Sequence, residues 1–269
     1  MDLWHRGFFE FANLVANRYL DESDDEDGFV LVPFFMAVRA AVRAHVTATQ
    51  ANSSSVDVEK LAAEARSYFD LARLMLEKHP ARLIAIGGLS GSGKTTIAEA
   101  LAAHVGAPPG ARIVESDRIR KAMHGVAPET RLPEKAYRPE VSVKVYHQMG
   151  WRASLILSEG GSVVADAVFD NASNRELIER AAREASVTFV GVWLHTDPSV
   201  LLQRVSARRE SVSDATIDIL ARQLQRNVDD VGWVRLDAAL GAAEIVGRIL
   251  RLDRVRGDGT PATKAARTN

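Results

Sequence analysis

Beyond position 82 the apolar residues fall into short blocks that alternate with longer stretches patterned at helical spacing. The blocks 83–86, 111–115, 162–166, 188–194 and 233–236 predict strands, because each is short, rich in β-branched or aliphatic residues and bounded by turn residues. Helices are predicted over 95–104, 117–123, 140–158, 174–184, 198–209, 214–225 and 239–252. In the longest of these, Val141, Val145, Met149, Ala153 and Ile156 form one stripe, and Gly160-Gly161 ends it. Strictly alternating strand and helix predicts an α/β fold: a five-stranded parallel sheet with helices on both faces.

The first 80 residues follow a different pattern. Phe8, Phe11, Leu14 and Val15 recur at helical spacing, as do Phe34, Phe35, Val38, Val42 and Val46, and a third helix is predicted over 58–77. Six carboxylates in the seven positions 21–27 predict a solvated loop, with a metal cluster as the lesser alternative. Residues 51–55 form a polar break, and Pro80 opens the α/β region. The expected organisation is therefore an all-α segment over 1–80, an α/β domain over 81–256, and a Gly/Pro/Thr/Lys-rich tail over 257–269 that is predicted to be disordered.

Bulk properties narrow the function class. A net charge of −1 gives no global attraction to nucleic acid or anionic lipid. The absence of cysteine removes disulfides, thiolate metal sites and cysteine nucleophiles, and fits a cytoplasmic protein. The longest apolar run, 29–38, contains Pro33 and stops at Arg39, so it is predicted to be too short to span a bilayer.

The chemistry concentrates where the predicted strands end. Gly88, Leu89, Ser90, Gly91, Ser92, Gly93, Lys94 and Thr95, followed by Thr96, complete the G-x-x-x-x-G-K-[ST] pattern between a strand and a helix. Glycine-rich backbone there curls around a phosphate, and its N–H groups and the helix N-terminus point at the anion. Lys94 would reach the β- and γ-phosphates, and the Thr95 hydroxyl would ligate Mg²⁺.

After the second strand, Asp117 and Arg120 lie three apart at a helix start and so share a face. The carboxylate would accept a proton from a substrate hydroxyl while Arg120 holds a polar or anionic part of that substrate; alternatively, Asp117 is a helix cap and Arg120 a surface charge. After the third strand, Asp166 closes Val-Val-Ala-Asp as a second Mg²⁺ ligand, with a plain loop-start aspartate as the alternative. Asp170, Asn171, Asn174 and Arg175 follow, and of these Arg175 would reach substrate. Arg204 and Arg208 share a helix face, either covering the transferred phosphoryl group or serving as an ordinary basic helix end. His195 reads as structural.

The stretches Gly-Gly-Leu-Ser-Gly-Ser-Gly-Lys-Thr-Thr, Glu-Ser-Asp-Arg-Ile-Arg-Lys, Ala-Pro-Glu-Thr-Arg-Leu-Pro, Val-Val-Ala-Asp-Ala-Val-Phe and Arg-Val-Ser-Ala-Arg-Arg resemble a family of bacterial P-loop kinases labelled AAA-family ATPases or zeta-toxin-like proteins. More broadly they are similar to polynucleotide kinase, gluconate kinase and chloramphenicol phosphotransferase. That resemblance covers about 81–252 and implies a P-loop NTPase with an adenylate-kinase-like core, strand 3 beside strand 1, and ATP as donor. It also implies Asp117 as general base, Arg120 as substrate ligand, and Arg204 or Arg208 as the lid arginine.

Met-Asp-Leu-Trp-His-Arg-Gly, Asn-Arg-Tyr-Leu-Asp and Val-Pro-Phe-Phe-Met-Ala-Val-Arg-Ala-Ala-Val-Arg-Ala-His-Val resemble the C-terminal helices of an aminoglycoside-phosphotransferase-like domain. The H-x-D-x-x-x-x-N loop of such a domain is absent here, so these residues are not a working phosphotransferase.

Three functions remain open on this reading. One is an ATP- and Mg²⁺-dependent kinase acting on a hydroxyl of a small molecule. Another is a 5′-hydroxyl nucleic-acid kinase or a toxin-like nucleotide-sugar kinase, with Arg118, Arg120, Lys121, Arg131 and Lys135 as a candidate basic strip diluted by Glu129 and Glu134. The third is a non-catalytic ATP-binding interaction module.

Overall fold

The computed structural model describes residues 1–53, 57–207, 214, 216–225 and 231–257. Five strands, β1 (Arg82–Gly88), β2 (Arg112–Glu115), β3 (Val163–Asp166), β4 (Thr188–His195) and β5 (Val234–Asp237), form one sheet in the order β2-β3-β1-β4-β5. Every neighbouring pair is parallel. All five expected strands are present within a residue or two, and β3 lies beside β1.

The helices, in chain order, are α1 (Asp2–His5), α2 (Phe9–Ser23), α3 (Val32–Ser53), α4 (Val58–Met75), α5 (Lys94–Ala102), α6 (Ser116–Met123), α7 (Pro139–Ser158), α8 (Ala172–Glu184), α9 (Pro198–Ser206), α10 (Ile217–Leu224) and α11 (Ala242–Gly257). Two 3₁₀ turns, Glu26–Leu31 and Glu134–Tyr137, join them.

Because β1 alternates sides, it feeds two cores. Leu83 and Ala85 pack with Val145, Met149, Ala153 and Ile156 of α7 and with α8. Ile84 and Ile86 pack with Ile97 and Leu101 of α5 and Ile249 of α11. The strand is buried on both faces, which explains its continuous apolar run.

The N-terminal helices form where expected but turn the unexpected face inward. Phe8, Phe11 and Val15 of the first stripe are 51%, 62% and 59% exposed, whereas Ala12, Asn13, Asn17 and Leu20 are buried. The reason is a polar docking site: β2 is an edge strand whose backbone needs partners, and α2 supplies them. Asn17 Oδ1 accepts the Ile113 N–H at 2.7 Å, and Asn13 Nδ2 donates to the Ala111 carbonyl at 2.9 Å.

In α3, Phe34, Phe35, Val38, Val42 and Val46 likewise face outward, while Met36, Ala37, Ala40 and Ala44 pack on Tyr68, Leu71, Ala72 and Met75 of α4. The helical stretch Glu26–Ser53 is long and apolar enough to cross a membrane by length and composition, with a mean hydropathy of 1.6 and 28% of that window buried. The run interrupted at Pro33 and Arg39 therefore understates it.

The acidic run is solvated only in part: Glu22, Asp24, Asp25 and Asp27 are exposed, whereas Glu26 and Asp21 turn toward arginines. Glu26 is 4% exposed and accepts two bonds from Arg112, at 2.8 and 2.9 Å, and one from Arg152. Asp21 accepts from Arg112 at 2.7 Å and from Arg18 at 3.1 Å. No group of three or more acidic or histidine side chains that could together hold a metal ion occurs among the described residues. Of the expected tail, Gly257 closes α11 and the remainder lies outside the described residues.

Candidate active site

The loop leaving β1 is shaped by glycines that side chains cannot replace. Gly88 has φ +146°, and a Cβ there would lie 2.6 Å from both the Leu194 carbonyl and Ser92 Oγ. Gly91 has φ +88°, and its Cβ would meet the Leu201 carbonyl at 2.8 Å. Position 93 is the left-handed residue from which α5 starts. Lys94 Nζ donates to the Leu89 carbonyl across the loop at 3.1 Å. Ser92 Oγ is buried in the loop without a hydrogen-bond partner, an unmet polar atom. A phosphate chain fits that cradle.

Thr95, in the first turn of α5, donates from Oγ1 to Asp166 Oδ2 at 2.6 Å. Asp166 ends β3, in register with Ile86 on one side and Glu115 of β2 on the other. Burial pushes its carboxyl up to about 6, with Lys94 and the Thr95 hydroxyl opposing and Asp117 and Glu99 reinforcing. Glu115 is pushed up further, to about 8, by burial and by the carboxylates of Asp166 and Asp117. Hard oxygen donors of this kind suit Mg²⁺, which is usually held by one or two protein ligands together with substrate phosphates.

On the acceptor side, Asp117 lies half-buried in the first turn of α6, facing the same cleft. Arg120 is 6% exposed; Nη1 donates to the Ala136 carbonyl at 2.8 Å, the guanidinium lies 4.7 Å from the centroid of the Tyr137 ring, and Nε has no hydrogen-bond partner. The cleft, about 910 Å³, runs from Arg18 and Glu99 past Thr95, Asp166 and Asp117 to Asn174 and Arg222.

Among the remaining predicted residues, Asp170, Asn171 and Asn174 line the cleft, and Asn171 also caps α8 by accepting the Ser173 N–H at 2.8 Å. Arg175 donates to the Phe169 carbonyl at 2.9 Å. Arg204 corrects the expectation of a lid arginine: it lies outside the cleft lining and donates to the Ala238 carbonyl at 3.0 Å, because α9 turns that face toward the end of β5. Arg208, the other lid candidate, lies outside the described residues.

Four contributors carried no local signal in the sequence. Gln223 of α10 reaches the phosphate loop, Asp214 the acceptor wall, Arg18 the far end of the cleft, and Tyr137 the Arg120 guanidinium. Glu115 was within reach of the strand-end argument that singled out Asp166, since it is the last residue of β2. Asp214 accepts from Lys121 Nζ at 3.2 Å, the Leu132 N–H at 2.8 Å and the Tyr137 hydroxyl at 2.6 Å.

Comparison with known proteins places this geometry in a family. The model of the AAA domain family matches residues 83–228, more than half of the chain. The chain belongs to the AAA domain family. The match takes in the phosphate loop, Asp117, Asp166 and Gln223, and leaves out Arg18, Asp21 and Glu26.

Curated relatives of this AAA-domain chain include uncharacterised proteins of Mycobacterium bovis and Mycobacterium tuberculosis, 28% identical over 259 residues, covering 94% of this chain and 50% of theirs. The chain thus spans about half the length of the curated relatives it matches. An adenylyl-sulfate kinase of Myxococcus xanthus is 30% identical over 117 residues, 44% of this chain and 59% of that protein. Among solved structures, a gluconokinase from Sinorhizobium meliloti 1021 aligns at 26% identity and a TM-score of 0.44, covering 68% of this chain and 97% of that one.

Proposed function

We propose that this chain is an ATP-dependent kinase that moves the γ-phosphoryl group of ATP to a hydroxyl of a small molecule. The observation that carries the reading is the Thr95–Asp166 contact beside a phosphate cradle, with Asp117 facing the same cleft. The loop amides and Lys94 would hold the phosphates, and Thr95 and Asp166 would hold Mg²⁺, which would supply charge neutralisation to the transferred phosphoryl group. Asp117 accepts the proton of the acceptor hydroxyl as its oxygen bonds to the γ-phosphorus. The bond from that phosphorus to the ADP oxygen breaks, and ADP leaves with the electron pair. Arg120, its plane held against Tyr137, binds a polar or anionic part of the acceptor.

Two observations favour a small acceptor over a 5′-hydroxyl nucleic acid. Lys121, a member of the candidate basic strip, is 1% exposed and is engaged by Asp214 and the Pro128 carbonyl. Arg118 is engaged by Glu115 and Asp21. Both are thereby withdrawn from phosphate contact along a strand. A purely switching module has no use for an acceptor-side carboxylate in the cleft, so Asp117 counts against that reading.

The test is a transfer screen from labelled ATP across sugars, antibiotics, nucleosides and 5′-hydroxyl oligonucleotides, run beside calorimetric MgATP binding. Lys94→Ala is expected to lose both activities. Asp117→Asn is expected to keep MgATP binding and lose about 10²–10⁴-fold in turnover. Absence of Mg²⁺-dependent ATP binding by the wild-type protein would refute the proposal.

A further inference from the structure

One residue of the cleft lining, Arg18, comes from the part of the chain that precedes the AAA domain match. Arg18 of α2 lines the cleft, donating from Nη2 to Glu99 Oε1 at 2.5 Å and from Nη1 to Asp21 Oδ2 at 3.1 Å. Glu99 follows Thr95 by one turn of α5, so both lie on one face of that helix. Five carboxyl groups, Glu99, Glu115, Asp117, Asp166 and Asp170, line the cleft, and Glu115 and Asp166 stand in register on adjacent strands. Burial keeps the Glu115 carboxyl largely protonated near neutral pH, so a triphosphate enters against the charge of the remaining carboxylates. Cations packed against the cluster are Lys94 in the phosphate loop, Arg118 on Glu115, and Arg18 on Glu99.

The placement of Arg18 is built in. Asn17 bonds to the backbone of β2 at Ile113 and Asn13 to the Ala111 carbonyl just before that strand, and Asp21 is shared by Arg18, Arg112 and Arg118. Arg112 in turn is 1% exposed and holds Glu26. The helix is therefore fixed beside the strand that delivers Glu115, which holds the backbone of Arg18 within reach of Glu99.

We propose that Arg18 is a positioning residue of the nucleotide site: its guanidinium ties up Glu99 and offsets the acidic wall, so the functional unit begins at α2 rather than at β1. This rests on the nucleotide-binding reading above. Arg18 acts through Glu99 and the local field, and no contact with the acceptor is required of it. One charge at cleft distance in a partly screened medium is worth about tenfold in affinity for a polyanion.

The experiment is calorimetric titration of the full chain with Mg²⁺ and a non-hydrolysable ATP analogue, for wild type, Arg18→Gln and Arg18→Lys, at low and high salt, with melting curves alongside. Arg18→Gln is expected to weaken the analogue about tenfold at low salt and less at high salt, with a small change in melting temperature; Arg18→Lys is expected to recover most of the loss. The proposal is overturned if Arg18→Gln binds like wild type, or if Arg18→Lys is as weak as Arg18→Gln, which would mean that shape rather than charge matters. Wild-type protein that binds no analogue would remove the nucleotide reading itself, a separate result from equal binding by all three.

Discussion

The side-chain carbonyl of Gln223 accepts the backbone N–H of Ser90 at 2.9 Å, fastening α10 to the phosphate loop across 133 residues of sequence. Both residues are buried. Gln223→Ala leaves a buried amide without its partner, at a cost of about 1–3 kcal/mol. Hydrogen exchange over 217–224 is expected to accelerate in that variant, while exchange in β1 rises only by the global loss of stability. Equal protection of α10 in the two proteins would show that the contact does not hold the helix in place.

Glu115 and Asp166 give stability a pH dependence of defined sign. Both carboxyls are raised above the ordinary carboxylate range, to about 8 and about 6, chiefly by burial. Between about pH 4 and pH 8 the folded protein therefore keeps protons that the unfolded chain has released, and stability falls as pH rises through that window. Without Mg²⁺ or nucleotide, Glu115→Gln is expected to abolish part of that fall, on the order of 2 kcal/mol between pH 5 and pH 8.5 in urea unfolding. A variant whose pH profile parallels that of the wild type would place the proton elsewhere.

Glu26 is the common acceptor of two buried or nearly buried arginines, Arg112 and Arg152. Removing one partner of such a cluster strands the others, so Glu26→Ala is expected to cost roughly 3–5 kcal/mol. Urea unfolding followed by circular dichroism measures this directly. A loss under about 1 kcal/mol, the range of surface pairs, would mean that water reaches the cluster.

Asp214 gathers Lys121, the Leu132 N–H and the Tyr137 hydroxyl into one buried node. Asp214→Ala frees the 128–137 segment, on which Arg131 and Lys135 are exposed. Trypsin is expected to cut after these two residues several-fold faster in the variant than in the wild type, read by mass spectrometry of early fragments. Unchanged cleavage would mean that the segment is held by other contacts.

Strands, helix order and the phosphate loop were legible because each depends on local pattern: β1 is apolar throughout, since both its faces are covered, and the loop is set by glycine spacing. Thr95 was legible from the phosphate-loop pattern and Asp166 from its place at a strand end, and their meeting follows from β3 lying beside β1. The buried face of α2 was not. Its apolar stripe points outward and its asparagines inward, because what they meet is backbone of an edge strand rather than side chains. Within the acidic run, the burial of Glu26 was hidden because the arginines that bury it lie 86 and 126 residues away. Arg204 had the spacing expected of a lid residue, yet spacing does not say which side of a helix meets the sheet.

The pairing of Asn13 and Asn17 with the rim of β2 has a practical consequence for anyone who trims the protein at its apparent seam near Pro80. Two side chains now stand where another strand would otherwise add itself. Cutting them away would bare a ready template for intermolecular pairing, and the shortened module would be prone to stick to copies of itself.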